Sequence, residues 1–232
     1  MPSSSEVARD LIECALRNAQ PTLSEYDSKR LLAEYGVATV KEELVKDTTS
    51  AIAAAESLGY PVVIKACATA LAHKSDRGLV ALNLDDVTSV RTAMDEIAQR
   101  AGDTPLDGYL VQRMLRAKRE IIVGGTRDKL FGPCVMLGVG GILVEALADV
   151  AFRLAPIDDR DAREMIAEIR HRRLFEANRG EPEVDKTALV SVLMAVSTIL
   201  VENPTVAQVD VNPLLLVGSQ PVAVDALITL NA

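Results

Sequence analysis

The chain has no tryptophan, only three phenylalanines and two histidines in 232 residues, and its acids outnumber its bases 33 to 25 for a net charge of −8. A nucleic-acid surface normally needs a basic face and often stacking aromatics, so no nucleic-acid partner is expected, and an anionic ligand would need a local cationic pocket. Cysteine is scarce as well. Cys14, Cys67 and Cys134 are odd in number and lack metal-ligand spacing, which suits free thiols in a reducing cytoplasm. Long apolar runs are missing. Residues 188–201 come nearest, carry Ser191, Ser197 and Thr198, and fall short of the roughly 20 residues that span a bilayer. They read as a buried helix, and no membrane partner is expected. Residues 1–20 contain Glu6, Arg9, Asp10, Glu13 and Arg17, which leaves no room for the apolar core of a secretory leader.

What remains is a folded chain, 49% hydrophobic and 25% charged, long enough for one large domain or two lobes. Helices and strands alternate along it. Residues 6–19 and 24–35 read as helices, the second capped by Ser24 and stopped by Gly36. A strand is expected over 37–45, an alanine-rich helix over 49–58, and an apolar strand over 61–65. Residues 79–84 alternate as a strand, after which Asp85 or Asp86 can cap a helix ending before Gly102. Strands at 109–114, 120–125 and 131–139 read as a β-meander, followed by a strand at 151–156. Helices at 158–170 and 185–201 precede a closing hairpin over 208–225.

That hairpin turns at Gly218-Ser219-Gln220. A two-residue loop pairs Val217 with Gln220 and puts Asp225 opposite Asn212; a three-residue loop makes them diagonal neighbours, about 5–8 Å apart. Asp210 lies two positions before Asn212, so alternation points both to one face. Two carboxylates and an amide suit Mg²⁺, whose other ligands substrate phosphates usually supply. The same stretch also reads as a strand ending at an Asn-Pro turn with solvated acids nearby.

Other candidates carry paired readings. Lys65 ends the run Val62-Val63-Ile64; a buried ammonium needs a partner, and either a phosphate or a snorkelling position satisfies it. His73 sits in the loop Ala70-Leu71-Ala72-His73-Lys74-Ser75-Asp76-Arg77-Gly78, where an imidazole can carry a phosphoryl group or simply face solvent. His171, within Arg170-His171-Arg172-Arg173, reads as a cation at a helix end. Glu120 either faces water or accepts hydrogen bonds from ligand hydroxyls. Gly138-Val139-Gly140-Gly141 allows close backbone approach but is not a dinucleotide fingerprint. Arg153, in Ala151-Phe152-Arg153-Leu154-Ala155-Pro156, pairs with a phosphate or with an acid.

Together, Pro61-Val62-Val63-Ile64-Lys65, His73-Lys74-Ser75-Asp76, Glu120-Ile121-Ile122-Val123-Gly124, Phe131-Gly132-Pro133, Phe152-Arg153-Leu154-Ala155-Pro156, Arg179-Gly180-Glu181-Pro182 and Asp210-Val211-Asn212-Pro213 resemble the ATP-grasp subunit of ADP-forming acyl-CoA synthetases, from about residue 23 onward. The resemblance implies an α+β ATP-grasp fold of two α/β subdomains, over 23–114 and 115–232, enclosing a nucleotide cleft behind an N-terminal helix in 1–22. It implies conversion of acyl-CoA, ADP and phosphate to acid, CoA and ATP through phosphohistidine. Lys65 would contact nucleotide phosphates near Gly78. Gln112 would lie by the adenine and ribose, and Glu120 would hold the ribose. Asn212 and Asp225 would bind Mg²⁺ with Asp210 in support, and Arg153 and the 138–141 turn would line the phosphate region. His73 would relay phosphate to ADP. A CoA-binding α subunit carrying the primary phosphohistidine would complete the enzyme, as an α2β2 assembly in the cytoplasm.

The sequence departs from the family pattern twice. Leu79 stands where a second glycine usually follows Gly78, and Arg113 where Glu often follows Gln112. These departures motivate an alternative, a nucleotide-sensing or scaffold domain without transfer chemistry. A third reading is a self-contained ligase working through an acylphosphate. The acid and the choice of ADP or GDP stay open.

Overall fold

The computed structural model describes residues 4–69, 77–140, 149–178 and 180–231. In chain order the elements are α1 (Ser4–Arg17), α2 (Glu25–Glu34), β1 (Glu42–Val45), α3 (Thr48–Leu58), β2 (Val62–Cys67), β3 (Val80–Leu84), α4 (Val87–Ala101), β4 (Gly108–Arg113), β5 (Glu120–Asp128), β6 (Gly132–Val139), β7 (Val150–Leu154), α5 (Asp159–Glu168), a 3₁₀ turn (Arg172–Leu174), α6 (Lys186–Glu202), β8 (Val206–Val217), β9 (Gln220–Ala223) and β10 (Leu227–Leu230). The chain divides into two compact units. The larger takes Met1–Leu23, Asp27–Thr39 and Arg116–Ala232, and the smaller Ser24–Tyr26 and Val40–Leu115. Helix α1 is therefore no separate element: Ala8, Ile12 and Ala15 are buried in the larger unit's core.

The smaller unit is an antiparallel sheet in the order β1-β4-β2-β3. Its helices start as their sequences dictate. Asp47 and Asp86 each accept the backbone N–H three residues on, from Ser50 and Ser89, whose hydroxyls complete a capping box. Small side chains let α3 sit close, and Ala51, Ala54 and Ala55 join Val90, Met94 and Ile97 of α4 over Val62, Ile64, Ala66 and Val111. Those strand residues define the helix-covered face. By alternation Val63, Lys65, Leu110 and Gln112 occupy the other.

The larger unit's sheet runs β10-β8-β5-β6-β7, with β9 paired to the far half of β8. The apolar helix α6 buries Leu189, Leu193, Val196 and Leu200 against strand residues including Val123, Leu137 and Val211. Gly125 permits this approach: a Cβ there would lie 2.6 Å from Leu200 Cδ1 and 2.8 Å from Val196 Cγ1.

Three expectations change. The meander is β5-β6-β7, because β4 lies between β1 and β2 in the smaller sheet and β5 belongs to the larger. The strand expected over 37–45 begins only at Glu42; Val37 instead sits in the larger unit's core. Residues 227–230 add a strand, β10, beyond the hairpin, with Leu227 opposite Asp210. No helix among the described residues is long and apolar enough to cross a membrane.

Candidate functional site

In the larger unit the hairpin has the register that a two-residue loop requires. Val217 pairs with Gln220, and the ladder runs on to Leu214 with Ala223. The Val224 N–H still reaches the Pro213 carbonyl at 3.4 Å, so the next step along both strands brings Asn212 and Asp225 side by side. Val209 and Val211 are buried while Asp210 is half-buried and Asn212 exposed, the alternation of a strand with one covered face. Which face is covered follows from the neighbouring strand. Gly125 points at α6, and Asp210 is paired with Gly124; Asp210 and Asn212 therefore look away from α6.

The electrostatics match this placement. The Asp210 carboxyl is held above the usual carboxylate range, first by burial and then by the negative charge of Asp225. Two carboxylates repelling each other beside an amide oxygen are a donor set that a hard divalent cation would satisfy. No group of three His, Cys, Asp or Glu suited to a metal occurs among the described residues. Glu120 pairs with Leu215 of β8, three residues beyond Asn212. It shares the strand phase of Gly124, so it lies on the same face as Asp210, roughly 10 Å along the strand from Asn212 at about 3.3 Å per residue.

In the smaller unit Lys65 and Gln112 share a buried polar cluster on the face away from α3 and α4. Lys65 Nζ lies 2.8 Å from Glu25 Oε1. The Gln112 side-chain amide donates to Glu25 Oε1 at 3.1 Å and to Glu42 Oε2 at 2.6 Å. Register explains the meeting: Gln112 is paired with Glu42 on one side and Val63 on the other, and Lys65 follows Val63 by two. The carboxylate fixes both the lysine and the amide, and Lys65 is a paired cation. Glu25 was not singled out in the sequence, and no local signal marks it, since its partners lie 40 and 87 residues away.

The other candidates separate. Arg153 is bound by acids: it pairs with Glu168 and, at 3.7 Å, Glu164 of α5, which hold its guanidinium even more firmly protonated. Its strand is not a buried one, since Phe152 and Leu154 are 53% and 55% exposed on the outermost strand of the sheet. Gly78 takes a left-handed conformation with φ of 65°, and its carbonyl accepts from Arg100 at 3.0 Å. Leu79 is fully buried in the smaller core, which accounts for an apolar residue there, and Arg113 is exposed at the end of β4. Gly140 is needed for approach to the chain itself, because a Cβ would lie 2.7 Å from the Glu120 carbonyl carbon. His73 and Gly141 lie outside the described residues. His171, expected only to sit at a helix end, places its Nδ1 2.6 Å from the buried Asp149.

Residues 14–230 match the family model described as an ATP-grasp domain. The chain is 39% identical to the β subunit of acetate–CoA ligase [ADP-forming] I from Pyrococcus furiosus, over 94% of this chain and 96% of that one. Among solved structures it is similar to acetyl-coenzyme A synthetase 1 of Ca. Korarchaeum cryptofilum in complex with coenzyme A, Ca-AMPCP and HgCl+. That match has a TM-score of 0.92 and 36% identity, covering 97% of this chain and all of that one. A second structure of the same enzyme, with coenzyme A and Mg-AMPPCP and its phosphohistidine segment pointing towards the nucleotide binding site, matches with a TM-score of 0.85, 36% identity and the same coverage.

Proposed function

This chain belongs to the ATP-grasp domain family, and we propose that it is the nucleotide-binding β subunit of an ADP-forming acyl-CoA synthetase, a ligase completed by a CoA-binding α subunit. What supports this reading is the register of β8, with Leu214 opposite Ala223 and Asp210 opposite Leu227, together with the burial and the Asp225 charge that disfavour the ionised Asp210. Near full-length similarity to a β subunit of an acetate–CoA ligase supports it.

Each residue then has a role set by its chemistry. Asn212 and Asp225 would hold Mg²⁺, with Asp210 supporting them; the ion supplies positive charge to phosphate oxygens. Lys65, oriented by Glu25, would contact nucleotide phosphates near Gly78. Gln112 would lie beside the base and ribose, and Glu120 would accept hydrogen bonds from ribose hydroxyls. Arg153, held by Glu168 and Glu164, would line the phosphate region. Phosphoryl transfer asks a protein chiefly for alignment and cations. His73 would take the phosphoryl group from a phosphohistidine of the α subunit and pass it to the terminal phosphate oxygen of ADP, the P–N bond breaking as the P–O bond forms. The assembly would be α2β2.

The test mixes this chain with its cognate α subunit and supplies acyl-CoA, ADP and phosphate. ATP should form with both chains and with neither alone, and His73→Asn should stop it. Mg-ADP binding with no phosphate exchange would instead favour a nucleotide sensor.

A further inference from the structure

Beside the helices of the larger unit lies a cavity of about 680 Å³, within the range that accommodates a small molecule. In a chain of net charge −8 its lining is cationic. Lys118, Arg119, Arg170, Arg172 and Arg173 face two carboxylates, Glu176 and Glu181, five positive charges against two negative ones.

Three features make it more than a run of surface charge. Arg119 is only 7% exposed. Its Nη1 donates to the carbonyls of Leu174 and Glu176, both at 3.2 Å, and its Nη2 to those of Pro182 and Gly218 at 2.9 and 2.8 Å. Four carbonyls satisfy N–H groups without cancelling a charge, and Nε has no partner among the described residues. Second, Asp149 accepts the backbone N–H groups of Arg170 and His171, each at 2.9 Å, as well as the His171 ring. That carboxylate fixes the imidazole and the start of the arginine run. Third, Arg170, Arg172 and Arg173 are exposed and in no ion pair with a described residue, and Lys118 meets Glu181 only at 3.7 Å.

The cavity is separate from the metal candidates. Arg119 holds the Gly218 carbonyl at the hairpin turn, six residues and roughly 20 Å along the strand from Asn212. The residues after α5 lie on the helix-covered side of the sheet, whereas Asp210 faces the other way.

We propose that this cavity is a second anion site, taking a ligand with two or more linked phosphates. Guanidinium groups match phosphate oxygens two at a time, and the surplus of positive charge exceeds what a single phosphate would neutralise. Arg172 and Arg173 supply the exposed donors, while the buried Arg119 keeps the local field positive.

Calorimetry on the full chain with sodium pyrophosphate, without divalent metal, tests it. One equivalent should bind, with inorganic phosphate at least about tenfold weaker. Arg172→Ala/Arg173→Ala should weaken pyrophosphate by about tenfold or more, as loss of charge-assisted hydrogen bonds implies. Arg160→Ala/Arg163→Ala removes the same charge from guanidiniums already paired with Glu164 and Asp159 and should change binding by less than about twofold. No binding by the unmodified chain, equal binding by the Arg172/Arg173 variant, or equal loss in the α5 control would each overturn the proposal. Asp225→Ala should leave pyrophosphate binding intact, so failure of the nucleotide reading and failure of this one are distinguishable.

Discussion

Lys65 and Glu25 are 40 residues apart in the chain and 2.8 Å apart in the fold, with side chains 9% and 1% exposed. Removing one partner of a buried pair is far costlier than the pair is worth, because it strands a charge. Glu25→Gln should therefore lower stability by about 3–5 kcal/mol, read as a shifted urea midpoint at unchanged slope. If Lys65 meets nucleotide phosphate, Mg-ADP should restore more stability to this variant than it adds to the unmodified chain. An equal increment in both would sink the lysine's assignment.

Asp225 and Asp210 are proposed to differ in rank. Asp225→Ala should abolish Mg-dependent ADP binding with the fold intact, while Asp210→Asn should weaken it by only about 10–100-fold, as loss of a supporting group does. Calorimetry with Mg-ADP, alongside circular dichroism of both variants, separates these outcomes. The reverse ranking would reassign the ligand.

Gly125→Ala inserts a methyl against Leu200 and Val196. Overpacking of this kind costs about 1–3 kcal/mol. Leu200→Ala alone should cost about 2–5 kcal/mol through its cavity. The double variant should lose clearly less than the sum, because the new methyl occupies space the leucine leaves; strict additivity in urea unfolding would mean that the contact is not made.

Asp149 gives a pH dependence. Burial is the largest influence and acts to raise its carboxyl, but the N–H of Arg170, the ring and N–H of His171, and the charge of His171 together hold it below the usual range. A carboxylate depressed in the folded state adds stability above its unfolded value, and that contribution is lost as pH falls through the folded one. Asp149→Asn should thus be less stable than the unmodified chain near neutrality. The gap should narrow from about pH 4 downward, where an unfolded aspartate takes up its proton. Urea unfolding across that interval checks the trend, and a gap independent of pH would contradict it.

How much the sequence disclosed depended on the range of each interaction. The Gly218-Ser219 turn limited the register of β8 with β9 to two choices, of which the fold takes the two-residue loop, because turn chemistry and strand phase are local. A cap at Asp85 or Asp86 was readable for the same reason, and Asp86 is the one used. Glu25 was not: its role exists only once α2, β2 and β4 have assembled. Arg153 left a phosphate and an acid equally open, and the choice of Glu168 depends on where α5 packs against β7. The run 151–156 is largely apolar in sequence, but β7 is an edge strand and leaves Phe152 open. β10 was missed because four residues carry too short a pattern to stand out.

The seam between the ends of the described chain sets an order of events during synthesis. The Leu23 N–H is bonded to the Ile228 carbonyl at 2.9 Å, and the Leu230 N–H to the Pro21 carbonyl at 2.7 Å. At ribosomal speeds of about 5–20 residues per second, residue 23 emerges roughly 10–40 s before its partner exists. Every strand of the smaller sheet has been made by Arg113, so that sheet can close while the apolar side of α1 still waits. A nascent chain halted before β8 would hold a folded smaller unit beside an unsheltered amphipathic helix, which is the interval in which a chaperone would be of use.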